Sequence, residues 1–399
     1  MQGVNQNLGA IRRKISSPGG AVFLAILSAA IWIILDISAL WLVSFVINRR
    51  LDQSTSKTKT MINNLKKEAI QIAPAFNSSE LNQYPLVDFY ISGSYNSCCA
   101  GELQDDWVSL EPLKSVLERG IRAVDFEIYM LPDGVPVVAV GKNPVINSKI
   151  KCQDITITTK GSYDYVTIPE VFNCINTYGF NNSPTQNDPI FINLRIKSKN
   201  PDVFKVLEKE ITSAFKGKLL SPKYGKGGKL LKRPDQYLRN KPLKDLKQKV
   251  IIMVEDYCRT YETHKGFWEL VNFEGARNLR IYNDTNIKNA EIRSLIKENK
   301  NGLCLTKPND TQPITNSASK KHRGYGCQII LMNYMSYDDN LKEHMKYFRE
   351  KGTSIVLKPK ELRKVRQFAK LPPKLNPEEE GLNATEKRTD PVTGKSYTY

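Results

Sequence analysis

Two acidic residues of one strand-like segment, Asp125 and Glu127, have the spacing of a cation-binding pair. They lie in residues 123–128, whose alternating pattern is typical of a β-strand. Because side chains two residues apart point to the same face of a strand, both carboxylates would point into a closed barrel. Carboxylate oxygens are ligands of hard cations such as Ca²⁺. The pattern therefore predicts either a cation site or two acids neutralised by nearby basic side chains.

Residues that could act as general bases or nucleophiles are few. The chain contains only three histidines, His264, His322 and His344. Its cysteines form no CxxC pair, so the sequence indicates neither a zinc site nor a thioredoxin-like motif. We expect buried thiols, although an oxidising compartment would allow disulfides. The seven cysteines are Cys98, Cys99, Cys152, Cys174, Cys258, Cys304 and Cys327.

Short apolar segments alternate along the chain with segments of helical periodicity. The strand-like segments are residues 87–91, 123–128, 135–140, 190–194, 250–254 and 329–333. The helix-like segments are residues 110–119, 168–178, 201–215, 289–298 and 340–351. This alternation predicts a parallel sheet covered by helices, and a closed barrel is the simplest such arrangement. The pattern alone does not distinguish a barrel from a doubly wound open sheet.

An apolar run covers residues 21–47 and exceeds the roughly 20 residues that a helix needs to cross a bilayer. We predict one uncleaved transmembrane helix, since the apolar core of a signal peptide is only about 7 to 15 residues long. Asp36, near its middle, would either face a partner helix or be protonated in a tilted single span. Basic residues lie on both sides of the run, so the expected single-pass membrane protein has no determined orientation.

The remaining sequence divides by composition around one large globular region. A net charge of +18 suggests attraction to an anionic partner, either acidic lipid or nucleic acid. A loop dense in Lys and Gly, residues 216–233, would be solvated or would contact such a partner. The predicted parts are a basic arm (1–20), the membrane helix (21–47), a linker (48–84), the barrel (85–365) and a flexible tail (366–399).

Five segments of the globular region carry a recognisable pattern. They are IleSerGlySerTyrAsnSer (91–97), GlyIleArgAlaValAspPheGlu (120–127), ProIlePheIleAsnLeuArg (189–195), GlyCysGlnIleIleLeuMetAsnTyr (326–334) and ValLeuLysProLysGluLeuArg (356–363). In this order they resemble phosphoinositide-specific phospholipase C, a PLC-like phosphodiesterase family. The resemblance implies an α/β fold, a PLC-like TIM (β/α) barrel after the N-terminal transmembrane helix. It divides the barrel into an X-like half (85–200), a Lys/Gly-rich linker (216–244) and a Y-like half (245–365).

The resemblance also implies which residues should carry the chemistry, and the catalytic ones are replaced. The family uses two catalytic histidines, and these fall on Tyr95 and Val140. Its calcium ligands are an Asn and acidic residues, which fall on Asn96, Asp125 and Glu127. The two carboxylates are exchanged in order but keep their spacing. The scaffold is therefore expected to persist without the catalytic bases.

A Glu in the family's strand motif corresponds to Arg195 in this chain. A guanidinium facing two carboxylates would take over the charge role of a metal, and Arg195 could bridge Asp125 and Glu127 directly. We therefore expect no cofactor. If the protein is active, Ca²⁺ would be held by Asn96 and the two carboxylates.

Residues that would bind the lipid headgroup are also replaced according to the resemblance. The family's paired phosphate-binding lysines correspond to Met253 and Glu255. Its Arg and Tyr before a Pro correspond to Leu305 and Lys307. A pocket without those cations should not bind polyphosphoinositides as the family does.

Three functions remain open from the sequence. The first is a membrane-anchored, catalytically inactive PLC-like barrel with a structural or interaction role and unidentified protein partners. Because the bias towards Asn, Lys and Ile resembles that of large DNA viruses with AT-rich genomes, a virion membrane component is included in it. The second is an active phosphoric diester hydrolase on phosphatidylinositol-type lipids, using Tyr95 or a relocated histidine. The third is a basic binder of anionic lipid or nucleic acid.

Overall fold

A single long helix forms the N-terminal part of the described structure. The computed structural model describes residues 18–67, 72–79, 81–103, 105–141, 161–198, 200–229, 231–233, 236–256, 260–275, 277–310, 313–364 and 387–398. Helix α1 spans Pro18–Lys66, and its apolar stretch is long enough to cross a membrane. Its large apolar side chains between residues 22 and 47 are exposed, as expected for a helix that packs against none of the other described residues there.

Helix α1 continues well beyond the apolar run. Residues 48–66, which their polarity assigned to a linker, are helical and lie against the globular part. Ser54, Met61 and Leu65 are buried, and their spacing of seven and four residues places them on one face of the helix. The helix persists because this face packs on the barrel, a tertiary contact that polarity alone does not reveal.

Eight parallel strands form a nearly closed barrel. They are β1 (Phe89–Ser94), β2 (Ala123–Met130), β5 (Ile190–Ile196), β6 (Val250–Glu255), β7 (Val271–Glu274), β8 (Leu279–Asn283), β9 (Leu303–Lys307) and β10 (Ile329–Met332). Neighbouring strands follow the order β7-β6-β5-β2-β1-β10-β9-β8. The two end strands meet only at a bridge between Gly275 and Leu279. The expected barrel is thus confirmed, and the open sheet is excluded.

Three further strands lie outside the parallel ring. Strand β3 (Pro136–Ala139) pairs antiparallel with β2, and β4 (Val166–Thr167) pairs antiparallel with β3. Strand β11 (Ile355–Leu357) pairs antiparallel with β1. The apolar segment at 135–140 is therefore one arm of a hairpin, not a barrel strand, which its composition alone could not show.

Helices cover the barrel between successive strands. They are α2 (Leu110–Glu118), α3 (Ile168–Ile175), α4 (Asp202–Ala214), α5 (Lys265–Leu270), α6 (Asp284–Asn289), α7 (Ile292–Asn301), α8 (Ser319–Gly324) and α9 (Asp339–Lys351). Local chemistry fixes the ends of α9. The Asp338 carboxylate accepts a hydrogen bond from the Leu341 amide, and Gly352 ends the helix at φ 69°. The helix predicted at 289–298 is displaced, since α6 ends and α7 begins within it.

The barrel interior is apolar along most of its length. Inward side chains from alternate strand positions form one cluster that includes Phe89, Phe191, Met253, Leu305 and Leu331. Gly93 leaves room for this packing, because an added Cβ would lie 2.5 Å from Leu331 Cδ2. Polar side chains enter the interior only towards the carboxyl ends of the strands, where barrel enzymes place their sites.

The predicted tail and the cysteines are described in part. Residues 365–386 lie outside the described residues, and beyond them Lys387–Thr389 and Ser396–Thr398 pair antiparallel within a separate unit. Five cysteines are buried free thiols, as expected, whereas Cys152 and Cys258 lie outside the described residues. The five are Cys98, Cys99, Cys174, Cys304 and Cys327.

Two of the three histidines are buried outside the barrel. His344 on α9 hydrogen-bonds the hydroxyls of Ser92 (2.8 Å) and Ser319 (2.7 Å). His322 on α8 lies 3.1 Å from the Thr306 hydroxyl and 3.7 Å from Asp284. Burial lowers the pKa of His322 to about 4, although the negative charge of Asp284 acts to raise it. These contacts attach α8 and α9 to the strands.

Acid should therefore destabilise the fold through His322. Unfolded histidine binds a proton near pH 6.5, whereas folded His322 binds one only near pH 4. The contribution of His322 to the free energy of unfolding is fully present above pH 6.5. It is lost as the pH drops from 6.5 to 4, by about 3 kcal/mol in total. We expect His322→Gln to flatten the decrease in the free energy of unfolding between pH 6.5 and 4, measured by denaturant titration. An unchanged slope would contradict this assignment.

Candidate functional site

The predicted site residues meet at the carboxyl end of the barrel. Asp125 and Glu127 point inward from β2, and Arg195 points inward from the neighbouring strand β5, where it is in register with Glu127. Asn96 follows β1 and has φ 44°, a left-handed conformation that Asn tolerates better than most residues. Tyr95 lies beside it. All five side chains are buried.

The Arg195 guanidinium contacts every predicted metal ligand. Its Nε lies 3.1 Å from both Asp125 oxygens, and its Nη2 lies 2.7 Å from Asp125 Oδ1. Its Nη1 donates to Glu127 Oε1 at 2.6 Å, and Nη2 also donates to Asn96 Oδ1. The planar fork of Arg suits this multiple bonding. Arg195 therefore bridges the two carboxylates, as the sequence suggested.

Neighbouring groups complete the hydrogen bonding of both carboxylates. Asp125 accepts from the Asn193 amide at 2.7 Å and from the Asn96 backbone at 3.1 Å. Glu127 Oε2 accepts from the Tyr129 hydroxyl at 2.6 Å and the Gly141 backbone at 3.0 Å. Each of the four carboxylate oxygens thus accepts at least one hydrogen bond from the protein. The arrangement is a neutralised cluster, with no oxygen directed into open space.

A calcium ion does not fit among these residues. The guanidinium already occupies the space between Asn96, Asp125 and Glu127, and a divalent cation there would lie next to a fixed positive charge. No group of three or more His, Cys, Asp or Glu residues that could hold a metal occurs within the described part of the chain. The side-chain oxygens that the sequence suggested as cation ligands bind Arg195 instead.

The charged side chains of the cluster shift the pKa values of their neighbours. Burial acts to lower the pKa of Arg195, but Asp125, Tyr95 and Glu127 outweigh it, so the pKa is raised well above its usual value. Burial lowers the pKa of Lys197, whose Nζ lies 3.9 Å from Glu127. Glu255, in register with Arg195 on the neighbouring strand β6, pairs with Lys307 of β9 at 2.7 Å. Arg195 therefore stays protonated at any pH at which the protein is folded.

Tyr95 is an unsuitable replacement for a catalytic histidine. Its ring lies under the guanidinium, 4.4 Å from Arg195 Cζ, in a cation–π contact. Its hydroxyl donates to Asp310 Oδ1 at 2.5 Å. Burial raises its pKa well above the usual value for Tyr, although Arg195 acts in the opposite direction. A phenol that is held protonated cannot accept a proton near neutral pH.

Neither position 140 nor any of the three histidines supplies a general base to the cluster. Val140 is buried and apolar. His322 and His344 contact groups on the outside of the barrel, and His264 accepts from the Phe267 backbone at the start of α5. A relocated histidine is thus excluded for all three.

The positions expected to bind a headgroup phosphate are also accounted for. Met253 and Leu305 are part of the apolar interior. Glu255 and Lys307 bind each other, and although burial acts to raise the pKa of Glu255, Lys307 and Arg195 lower it overall. This ion pair was not predicted from the sequence, because the two residues lie on strands that are far apart in the chain.

Several residues of the cluster were not predicted from the sequence. Asn193 and Lys197 lie two residues before and after Arg195, so the alternation of β5 could have placed all three on one face. Tyr129 has the same relation to Glu127. Asp310 carries no such signal, because it lies in a loop after β9.

The Lys/Gly-rich loop is held against helix α5. Lys226 pairs with Glu269 at 3.1 Å, and Lys229 lies 3.7 Å from Glu262. Lys229 also lies over the Trp268 ring at 4.4 Å. Part of the loop's positive charge is therefore compensated within the protein, and its contact with lipid or nucleic acid stays a prediction.

The fold and this cluster can be compared with known proteins. Residues 82–256 match the family model of the phosphatidylinositol-specific phospholipase C X domain. This part of the barrel is therefore similar to the X domain of that family. None of the curated proteins matches the chain by sequence. The X-domain match ends just after β6, so the assignment of residues 245–365 to a Y-like half stays a prediction.

Solved structures agree with the X-domain assignment at the level of the fold. PLC21 from L. pealei superposes with a TM-score of 0.55 at 18% identity, covering 71% of this chain and 38% of that one. PLC21 from S. officinalis gives 0.55 at 16% identity, covering 72% and 38%. The chain thus spans well under half the length of these relatives.

Removing the guanidinium should destabilise the barrel strongly. Arg195→Ala removes the ion-pair partner of the buried Asp125 carboxylate and the nearer partner of Glu127, and we expect a loss of about 3–5 kcal/mol in the free energy of unfolding. Combining it with Asp125→Asn and Glu127→Gln should restore part of the loss, because neither of these two side chains is then charged. Arg293→Ala, at an exposed position of α7, is the matched control. Equal stability of the Arg195→Ala and Arg293→Ala variants in chemical denaturation would show that the cluster is not a structural unit.

Proposed function

We propose that the chain is a membrane-anchored phospholipase C-like barrel that does not hydrolyse phosphodiesters and acts as a structural or interaction protein. The observation that carries the proposal is the set of bonds from Arg195 to Asn96, Asp125 and Glu127. The same scaffold that would hold a catalytic cation instead holds a side chain.

The chemistry of cleavage supports this proposal. Attack by an inositol hydroxyl needs a base, an acid for the leaving alcohol and positive charge against the phosphorane. Tyr95 is held protonated, and Val140 transfers no proton. The guanidinium of Arg195 is about 2% exposed and is bonded to carboxylates, so it is not available to a substrate phosphate.

Membrane anchoring is supported by helix α1. Its residues 21–47 carry large apolar side chains that no other described part of the chain covers, and water is an unfavourable environment for such a surface. Arg49 and Arg50 follow the run directly, as basic residues do where a helix leaves a bilayer. We propose a single-pass protein, with a virion membrane as one setting that suits its composition.

An active phosphodiesterase of altered mechanism is the second candidate. Retention of Asn96, Asp125 and Glu127 on one face at the carboxyl end of the barrel favours it. It requires Arg195 to leave the carboxylates so that a metal can bind. The two candidates therefore differ in whether Asn96 and the carboxylates bind calcium.

Lipid hydrolysis with a restored acidic residue separates the two candidates. We expect the full chain to release no product from phosphatidylinositol vesicles, with calcium or with chelator. Arg195→Glu should create a calcium site with a Kd on the order of 10⁻⁴ M, since three carboxylates and Asn96 would then converge. Calcium binding is measured by calorimetry, and Arg293→Glu controls for the change in surface charge.

The outcomes are distinct. Calcium-dependent turnover by the unaltered chain would contradict the proposal and establish the second candidate. Calcium binding by Arg195→Glu without turnover would agree with loss of both the metal site and the catalytic bases. Failure of Arg195→Glu to bind calcium, with circular dichroism unchanged, would show that the cluster is not a metal site with its cation replaced.

A further inference from the structure

A cleft of about 500 Å³ opens on the outer side of the barrel at its amino end. Strands β8 and β9 begin beside it, at Leu279 and Leu303, and helix α7 ends there. Its volume is within the range of about 300–1,000 Å³ that is usual for small-molecule sites. The Arg195 cluster lies at the opposite, carboxyl end of the strands, so the cleft is a separate feature of the molecule.

The charged side chains that line this cleft are mostly basic. Arg277 is neutralised by Glu262 (2.6 Å) and Glu274 (2.9 Å), which are not lining residues. Glu298 lines the cleft and pairs with Arg280 at 2.9 Å. Two further cations line the cleft and form no ion pair among the described residues, so the cleft keeps an excess of positive charge. They are Arg239 and Lys297.

Arg239 is held in place by groups that leave its charge uncompensated. Its Nε donates to the Asn301 carbonyl at 2.9 Å, and its guanidinium carbon lies 4.4 Å from the centre of the Tyr237 ring. Burial lowers the pKa of Arg239, and the positive charge of Arg280 lowers it further, although Tyr237 acts to raise it. The two guanidinium groups are therefore close enough to repel each other. An anion bound by both would offset this repulsion.

Capping of helix α7 accounts for only part of these contacts. Arg239 and Arg280 donate to the carbonyls of Asn301 and Gly302, at 2.9 and 3.2 Å, as basic side chains do at the end of a helix. This bonding uses Nε of Arg239 and leaves its two terminal nitrogens without a hydrogen bond to any residue that the structure describes. Because the last carbonyls are occupied, the helix end repels an anion less than free carbonyls would.

We propose that this cleft binds a small anion with several phosphate groups, held by Arg239, Arg280 and Lys297. A guanidinium matches two phosphate oxygens at once, and a lysine adds a compact charge. Lys297 lies four residues before Asn301 and therefore on the same face of α7. Several phosphate groups, rather than a single carboxylate, match the charge of three cations.

The lining of the cleft favours a compact anion over a nucleic acid. Single-stranded nucleic acids stack their bases on aromatic side chains, and none of the lining residues is aromatic. The phosphate groups can belong to an inorganic polyphosphate or to a nucleotide whose base stays outside the cleft. The site does not depend on the proposed loss of hydrolysis, because Arg195 and its carboxylates lie at the other end of the barrel.

Calorimetric titration with inorganic tripolyphosphate tests the site. The full chain is kept in micelles of a neutral detergent, in metal-free buffer of low ionic strength. We expect Arg239→Ala to weaken binding by about tenfold or more, because charge-assisted hydrogen bonds are lost. Lys297→Ala should also weaken binding, and since Lys297 is exposed, this variant tests the cleft without disturbing the fold. Arg293→Ala, which removes an exposed charge from the same helix outside the cleft, should change the affinity by less than about twofold.

Adenosine triphosphate and a single-stranded oligodeoxynucleotide are titrated in the same way. Weaker binding of tripolyphosphate in both cleft variants supports the site, and tighter binding of adenosine triphosphate than of tripolyphosphate would identify a nucleotide as the source of the phosphate groups. No binding of tripolyphosphate by the unaltered chain would overturn the proposal. Equal weakening by Arg293→Ala would also overturn it, because the attraction would then be diffuse. Binding of the oligonucleotide alone would show a nucleic-acid surface instead.

Discussion

The guanidinium of Arg195 must be neutralised where it lies, because it is almost completely removed from water and desolvating a charge costs several kcal/mol. Asp125 and Glu127 supply that neutralisation, and Asn96 and Tyr95 enclose the group from two other sides. In turn, the two carboxylates could not remain charged in this place without it. Each member of the cluster is thus required by the others.

This mutual dependence changes the role of the carboxyl end of the barrel. In a barrel enzyme that end holds a solvated pocket and reactive groups. Here the strand ends are joined by Arg195 with its carboxylates and by the pair of Lys307 and Glu255. The result is a barrel end whose charged side chains bond to one another. This arrangement suits the proposed role in binding or positioning at a membrane better than turnover.

Much of the fold could be predicted from the sequence, because apolar runs of strand length and amphipathic helices leave few arrangements. These patterns indicated a parallel sheet covered by helices, whereas the closed barrel and the bridge from Arg195 to Asp125 and Glu127 were implied by the family resemblance. Strands β7, β8 and β9 were missed, since they are short and partly polar. The helical continuation at 48–66 and the pairing of Lys307 with Glu255 depend on tertiary contacts between distant segments, which local patterns do not encode.

The proposed replacement of the metal by Arg195 depends on where this side chain lies when calcium is present, and an experimental structure of the full chain determined at millimolar calcium observes this directly. We expect the guanidinium between Asp125 and Glu127, in contact with Asn96, and no anomalous calcium signal among them. A calcium ion bound by Asn96 and the two carboxylates, with Arg195 displaced from the barrel interior, would contradict it.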